Sequence, residues 1–106
     1  MIFSIDFDGT LCENDYPNIG LPKMDMINKC IELQSKGNFI ILNTCRTDDD
    51  LKAAVAWCKS YGLEFNKVNE NSPELINRYS DCRKISANYY VDDKNLSLQE
   101  FLNLKV

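Results

Sequence analysis

Histidine is absent from all 106 residues of the chain, which removes Ser-His and Cys-His nucleophile activation and imidazole metal sites together. Any chemistry must run on carboxylates, hydroxyls, Lys, Arg or Cys. Paired cysteine spacing is missing as well. Cys12, Cys30, Cys45, Cys58 and Cys82 are odd in number, widely spaced and free of any C-x-x-C. That pattern indicates neither a disulfide framework nor a zinc knuckle, and it fits a reducing cytoplasm. No apolar run approaches the length of a membrane span, and the first residues lack the charged region, apolar core and cleavage site of a signal peptide, so no membrane partner is expected. Positive charge is not in excess either: 12 Lys and Arg stand against 16 Asp and Glu, a net charge of -4. That balance argues against general nucleic-acid binding through phosphate attraction.

What is present fits one domain over residues 1–106, large enough to bury about two thirds of the surface its unfolded form exposes. The chain holds no repeat or low-complexity tract. Ile2, Phe3 and Ile5 form an apolar run without clean alternation, which reads as a central strand. Leu11 to Leu21 reads as a polar connection, and Pro22 suits the first turn of a helix running to about Lys36 and ended by Gly37. Met24, Ile27, Cys30, Ile31 and Gln34 fall on one face of that helix. Phe39 to Leu42 is the continuous apolar run of a covered parallel strand. Thr47 is placed to cap a second helix, with Leu51, Ala54, Val55 and Cys58 as its apolar stripe and Gly62 as its stop. The Asp48-Asp49-Asp50 run suits the dipole of that helix start. Phe65 to Val68 reads as a weaker strand, Ser72-Pro73-Glu74 as a short helix start, Ser80 to Ala87 as a connection and Asn88 to Val91 as a fourth strand. Ser97-Leu-Gln-Glu100 is a capping box opening a last helix.

Strands alternating with helices predict an α/β fold: a three-layer, Rossmann-like parallel sheet of about four strands, with helices on both faces. Ligands bind such sheets beyond the carboxyl ends of the strands. That rule gives the segment IDFDGT its interest, although Asp-Gly alone is also a plain turn signal. Asp6 and Asp8 end the first strand, Thr44 the second, and Asp92 and Asp93 the fourth. Carboxylates gathered at one crevice repel, and an all-oxygen ligand set selects a hard cation, with Mg²⁺ the natural choice. Gly9 allows the chain to bend so that Asp6 and Asp8 face different tasks. Arg46 reads equally as a substrate contact or as an exposed side chain in a turn. Cys45 sits beside the same crevice, while Trp57 and Cys58 read as helix-face packing.

The order IDFDGT, ILNTCR, a lysine, then YYVDDKN resembles the haloacid dehalogenase superfamily of phosphatases and phosphotransferases over residues 2 to 95. The family's motifs are D-x-D-x-T, a Ser or Thr ending the second strand, a Lys, and a late acidic pair. The resemblance implies that Asp6 is the nucleophile that forms an aspartyl-phosphate and that Asp8 protonates the departing oxygen, then activates water. It implies Mg²⁺ held by the Asp6 carboxylate, the Asp8 backbone carbonyl, and Asp92 or Asp93. Thr44 would donate to a phosphoryl oxygen, and Lys84, with Lys67 as competitor, would supply fixed positive charge. Lys84 lacks the proline that often follows this lysine in the family.

The expected activity is a Mg²⁺-dependent phosphoric monoester hydrolase acting on a phosphorylated substrate. The alternatives are a phosphotransferase, a receiver-like signalling module or a catalytically silent metal-binding module on the same fold. A receiver places its acidic pair early and its phospho-accepting Asp midway, the reverse of the order here. Family members usually choose substrates with a cap inserted after the first motif or between the second and third. Here the stretch from Asp8 to Pro22 is too short for a cap, and the interval from Thr44 to Lys84 is taken up by two helices and a strand. A capless site is therefore expected, served either by a large substrate such as a phosphorylated polymer end or by a homo-oligomer whose neighbouring subunit covers the crevice.

Overall fold

The apolar run at the start of the chain becomes β1 (Ile2–Ile5), and the second such run becomes β4 (Phe39–Leu42), in a computed structural model that describes residues 1–79 and 85–105. The two strands are parallel neighbours, Ile2 opposite Phe39 through Ile5 opposite Leu42. β6 (Tyr89–Val91) pairs with the other side of β1, and the two-residue β5 (Lys67–Val68) pairs with β4. The four-strand sheet therefore has the order β5-β4-β1-β6, all parallel. β4 is apolar throughout, as a covered parallel sheet favours, β1 carries one buried polar residue, Ser4, and Ile5, Ile40, Ile41 and Leu42 are buried. This is the α/β architecture expected from the alternation of elements. Among the described residues no cap domain interrupts it.

Helix α1 (Met24–Ser35) follows the first acidic motif, and α2 (Asp48–Ser60) follows β4. Ile27 and Cys30 of α1, with Ala54 and Cys58 of α2, enter the core around Phe7 and Leu11. Met24, placed on the same stripe by spacing, is instead exposed at the helix start. Burial pushes the Cys58 thiol up to about 12, so this cysteine is packing. Gly37 and Gly62 end the two helices with positive φ. Thr47 does occupy the N-cap position of α2, but its side chain makes no cap hydrogen bond. Helix α3 (Pro73–Tyr79) begins at the expected proline, and α4 (Leu98–Leu102) opens on a complete Ser97–Glu100 capping box. Among the described residues no helix is long and apolar enough to cross a membrane.

The largest departure from the sequence reading lies between Leu11 and Leu21. That stretch is an antiparallel hairpin, β2 (Cys12–Asp15) and β3 (Asn18–Pro22), rather than an irregular connection. Pro22 ends β3, and Lys23 takes the N-cap position of α1. Glu, Asn, Asp, Gly and Pro are poor strand formers, so local propensity does not announce this hairpin. A tertiary anchor holds it: the Arg46 guanidinium donates to the Pro17 and Asn18 carbonyls at its tip. Gly20 allows the two strands to close, because a Cβ there would overlap the Glu13 backbone carbonyl.

Candidate active site

In the order β5-β4-β1-β6 the chain steps from β1 out to β5 and then returns to the far side of β1. The direction of winding reverses between β1 and β6, and a crevice opens beyond the carboxyl ends at such a reversal. Asp6 directly follows β1, with its N–H donating to the Val91 carbonyl, so the β1–β6 ladder runs right up to the acid. Phe7 turns inward and is fully buried. The chain then wraps tightly: the Thr10 and Leu11 N–H groups both donate to the Phe7 carbonyl, and Gly9 takes φ 89°. Lys23 donates to the Gly9 carbonyl at 3.0 Å and steadies the same turn.

Asp6 and Asp8, two positions apart, enter different environments. Oxygens of Asp6, Asp92 and Asp93 lie within 4.8 Å of one another. Thr10 Oγ1 donates to Asp6 Oδ2 at 3.3 Å. Burial, with Asp92 and then Asp93 alongside, pushes the Asp6 carboxyl up to about 6. Asp8 points instead to Arg46. Nε donates to Asp8 Oδ2 at 2.8 Å and Nη2 to Oδ1 at 2.7 Å, a bidentate pair. Hydrogen bonding to Asp8 raises the guanidinium pKa further.

Arg46 corrects one half of its sequence reading. It is not an exposed turn residue but 1% exposed, with the Phe7 and Tyr16 ring centroids 5.2 and 5.0 Å from its guanidinium carbon. Thr44 lines the same cleft as both acidic groups. Its backbone N–H donates to Asn69 Oδ1 at 2.8 Å, and its Oγ1 accepts from the Arg46 N–H at 3.2 Å. The hydroxyl hydrogen is thereby left to point elsewhere.

Asp6, Asp8, Thr44, Cys45, Arg46, Asp92 and Asp93 line one cleft of about 390 Å³, together with Asn14, Tyr16 and Lys94. Asn14 and Tyr16 come from the hairpin, whose sequence reads as an irregular connection and so does not announce them as site residues. Asp48 to Asp50 form the first turn of α2. Lys67 pairs with Glu70 at 3.3 Å and does not line this cleft. Lys84, the other lysine singled out by sequence, lies outside the described residues.

The donor set suits a hard divalent cation. The three clustered carboxylates supply only oxygen, and among the described residues the ion pairs include none of them. The Asp6 carboxyl is raised first by burial and then by the neighbouring Asp92 and Asp93 charges.

No protein-family model matches the chain. No curated protein matches it. Among solved structures, a conserved protein from Bacteroides thetaiotaomicron superposes with a TM-score of 0.82 at 34% sequence identity, over 91% of this chain and 78% of that one. Identity at that level over nearly the whole chain is more than a shared fold, and the chain belongs to the family of that conserved Bacteroides protein.

Proposed function

We propose that the chain is a Mg²⁺-dependent phosphoric monoester hydrolase working through an aspartyl-phosphate on Asp6. The observation that carries the reading is the division of labour at the switch point: Asp6 stands with Asp92 and Asp93, while Asp8 faces the same cleft from a separate, arginine-clamped position. One carboxylate as nucleophile and a second, differently placed, as proton carrier is what a two-step phosphoryl transfer needs. The resemblance of IDFDGT, Thr44 and the late acidic pair to the haloacid dehalogenase superfamily supports the same assignment.

Asp6, Asp92 and Asp93, with the Asp8 backbone carbonyl, are the groups that would hold Mg²⁺. Bound there, the cation would neutralise charge between the nucleophile and an anionic substrate. The remaining chemistry belongs to the chain. An Asp6 oxygen attacks phosphorus in line, the bond from phosphorus to the ester oxygen breaks, and Asp8 delivers its proton to that oxygen. Water then attacks the phosphorus of the aspartyl-phosphate, Asp8 takes the water's proton, and inorganic phosphate leaves with Asp6 restored. Thr44, whose oxygen accepts from the Arg46 N–H, donates its hydroxyl hydrogen to a non-bridging phosphoryl oxygen.

The deciding experiment is a panel of phosphate monoesters assayed with Mg²⁺ and with a chelator. Turnover that requires Mg²⁺ and traps a phosphorylated Asp6 is the expected result. Activity that survives thorough chelation, or a phosphoryl group trapped on another residue, would overturn the assignment.

A further inference from the structure

Arg46 makes four hydrogen bonds through its guanidinium: two to the Asp8 carboxylate, one to the Pro17 carbonyl and one to the Asn18 carbonyl. A guanidinium has five N–H donors, so nearly all its capacity is committed inside the protein. The Phe7 and Tyr16 rings both lie against it. An arginine used to grip a phosphate has to present a fork of free donors, and this one presents its fork to a side chain of its own protein. The hairpin is the other partner in the arrangement, since the carbonyls at its tip and the Tyr16 ring fix where the guanidinium sits. The contacts form a chain: the hairpin holds Arg46, and Arg46 holds Asp8.

We propose that Arg46 is a positioning residue for Asp8, and that hairpin β2–β3 is the frame that sets the orientation of this proton carrier. The inference rests on the phosphatase reading above. In the first half-reaction a fixed Asp8 presents its proton to the ester oxygen as the bond to phosphorus breaks. In the second it accepts the proton of the attacking water. Arg46 itself neither touches the phosphoryl group nor exchanges a proton.

Leaving-group dependence tests this, because a nitrophenolate leaves without a proton and an alkoxide does not. With Mg²⁺, both 4-nitrophenyl phosphate and glycerol phosphate, and wild-type protein as the reference, Arg46→Lys should lower the first turnover of the alkyl ester roughly tenfold or more, part of the 10²–10⁴ worth of general acid–base catalysis. The first turnover of the aryl ester should stay within about threefold of wild type, whereas hydrolysis of the aspartyl-phosphate slows, so a burst of nitrophenolate appears. Asp8→Asn should produce that burst by itself, and adding Arg46→Lys to it should change the slow phase by less than about twofold, the mark of one residue acting through another. Tyr16→Leu leaves every hydrogen bond of the guanidinium in place and should give the same pattern in weaker form, which keeps the test decisive if Arg46→Lys does not fold.

Equal losses in the first turnover of both esters, or a full further loss from Arg46→Lys in the Asp8→Asn background, would assign Arg46 to substrate binding or to general stability and overturn the proposal. A wild-type protein inactive on both esters would remove the phosphatase reading, and this role with it. Those two failures are distinct, because only the second is seen without any substitution.

Discussion

Gly9 and Asp93 compete for the same space: a Cβ at position 9 would overlap the Asp93 carboxylate. The glycine also sits at φ 89°, a conformation that L side chains rarely adopt. The turn after β1 thus does two jobs, bending the chain sharply past Asp8 and leaving a slot through which an acid from the β6 side reaches Asp6. Gly9→Ala should therefore lower stability by about 1–2 kcal/mol from backbone strain alone. It should also weaken Mg²⁺ binding by displacing Asp93. Thermal melts and a calorimetric Mg²⁺ titration check both parts, and an unchanged Mg²⁺ affinity would detach Gly9 and Asp93 from the metal site.

Asp6→Asn should separate function from stability. An amide is no nucleophile toward phosphorus, so turnover should fall by more than about 10⁴-fold, beyond the 10²–10⁴ usual worth of a single proton-transfer group. In the absence of metal the same change removes a charge that Asp92 and Asp93 oppose. The sign follows from linkage. The native carboxyl titrates at about 6, above its ordinary 3.8, so the folded state binds the proton more tightly than the unfolded chain does. Stability contributed by that proton is present below about pH 4 and is lost as pH rises to about 6. Chelator-treated Asp6→Asn should then melt higher than wild type at pH 7.5, with the gap closing toward pH 4. A variant that melts lower at pH 7.5 would show that neither burial nor the neighbouring acids penalise the Asp6 charge.

The same titration predicts how Mg²⁺ acts on wild-type protein. Below about pH 6 a proton and the cation compete for Asp6, whereas above it the carboxylate is free to ligate. The rise in melting temperature on adding saturating Mg²⁺ should be small at pH 5 and larger at pH 7.5. A rise that does not depend on pH would place the ion elsewhere.

The parts of this site that show in the sequence are those tied to regular elements. Apolar runs end at Ile5 and Leu42, and polar clusters directly after them have nowhere to go but the carboxyl edge of a parallel sheet, which is why Asp6, Thr44 and Asp92 could be brought together before any coordinates. The hairpin did not show, since Cys12–Asp15 and Asn18–Pro22 offer neither strand-forming residues nor clean alternation, and pairing there depends on an arginine far along the chain. Arg46 was ambiguous for the same reason. Its neighbour Thr44 is visible in the sequence, but its partner Asp8 lies 38 positions away and is brought to it only by the fold. The capping box at Ser97 announced α4 correctly, yet nothing local says that this helix buries none of its residues.

That exposed helix bears on the last prediction. Among the described residues no cap covers the cleft, which the hairpin lines through Asn14 and Tyr16, and an open crevice cannot exclude bulk water or surround a small metabolite. Binding energy must then come from outside this fold, either from a large substrate such as a phosphorylated polymer end or from a neighbouring copy of the chain. Leu98, Phe101 and Leu102 of α4 are 86%, 64% and 75% exposed, with Leu96 and Leu104 beside them about half exposed, which gives self-association an apolar surface. Light scattering at micromolar concentration should accordingly show at least a dimer. If it does not, kcat/KM should rise by a factor of about 10 or more from a small monoester to a large phosphorylated substrate, as remote contacts are added. A strict monomer with high kcat/KM for one small phosphometabolite would exclude both branches and would mean that the hairpin, small as it is, closes the site well enough by itself.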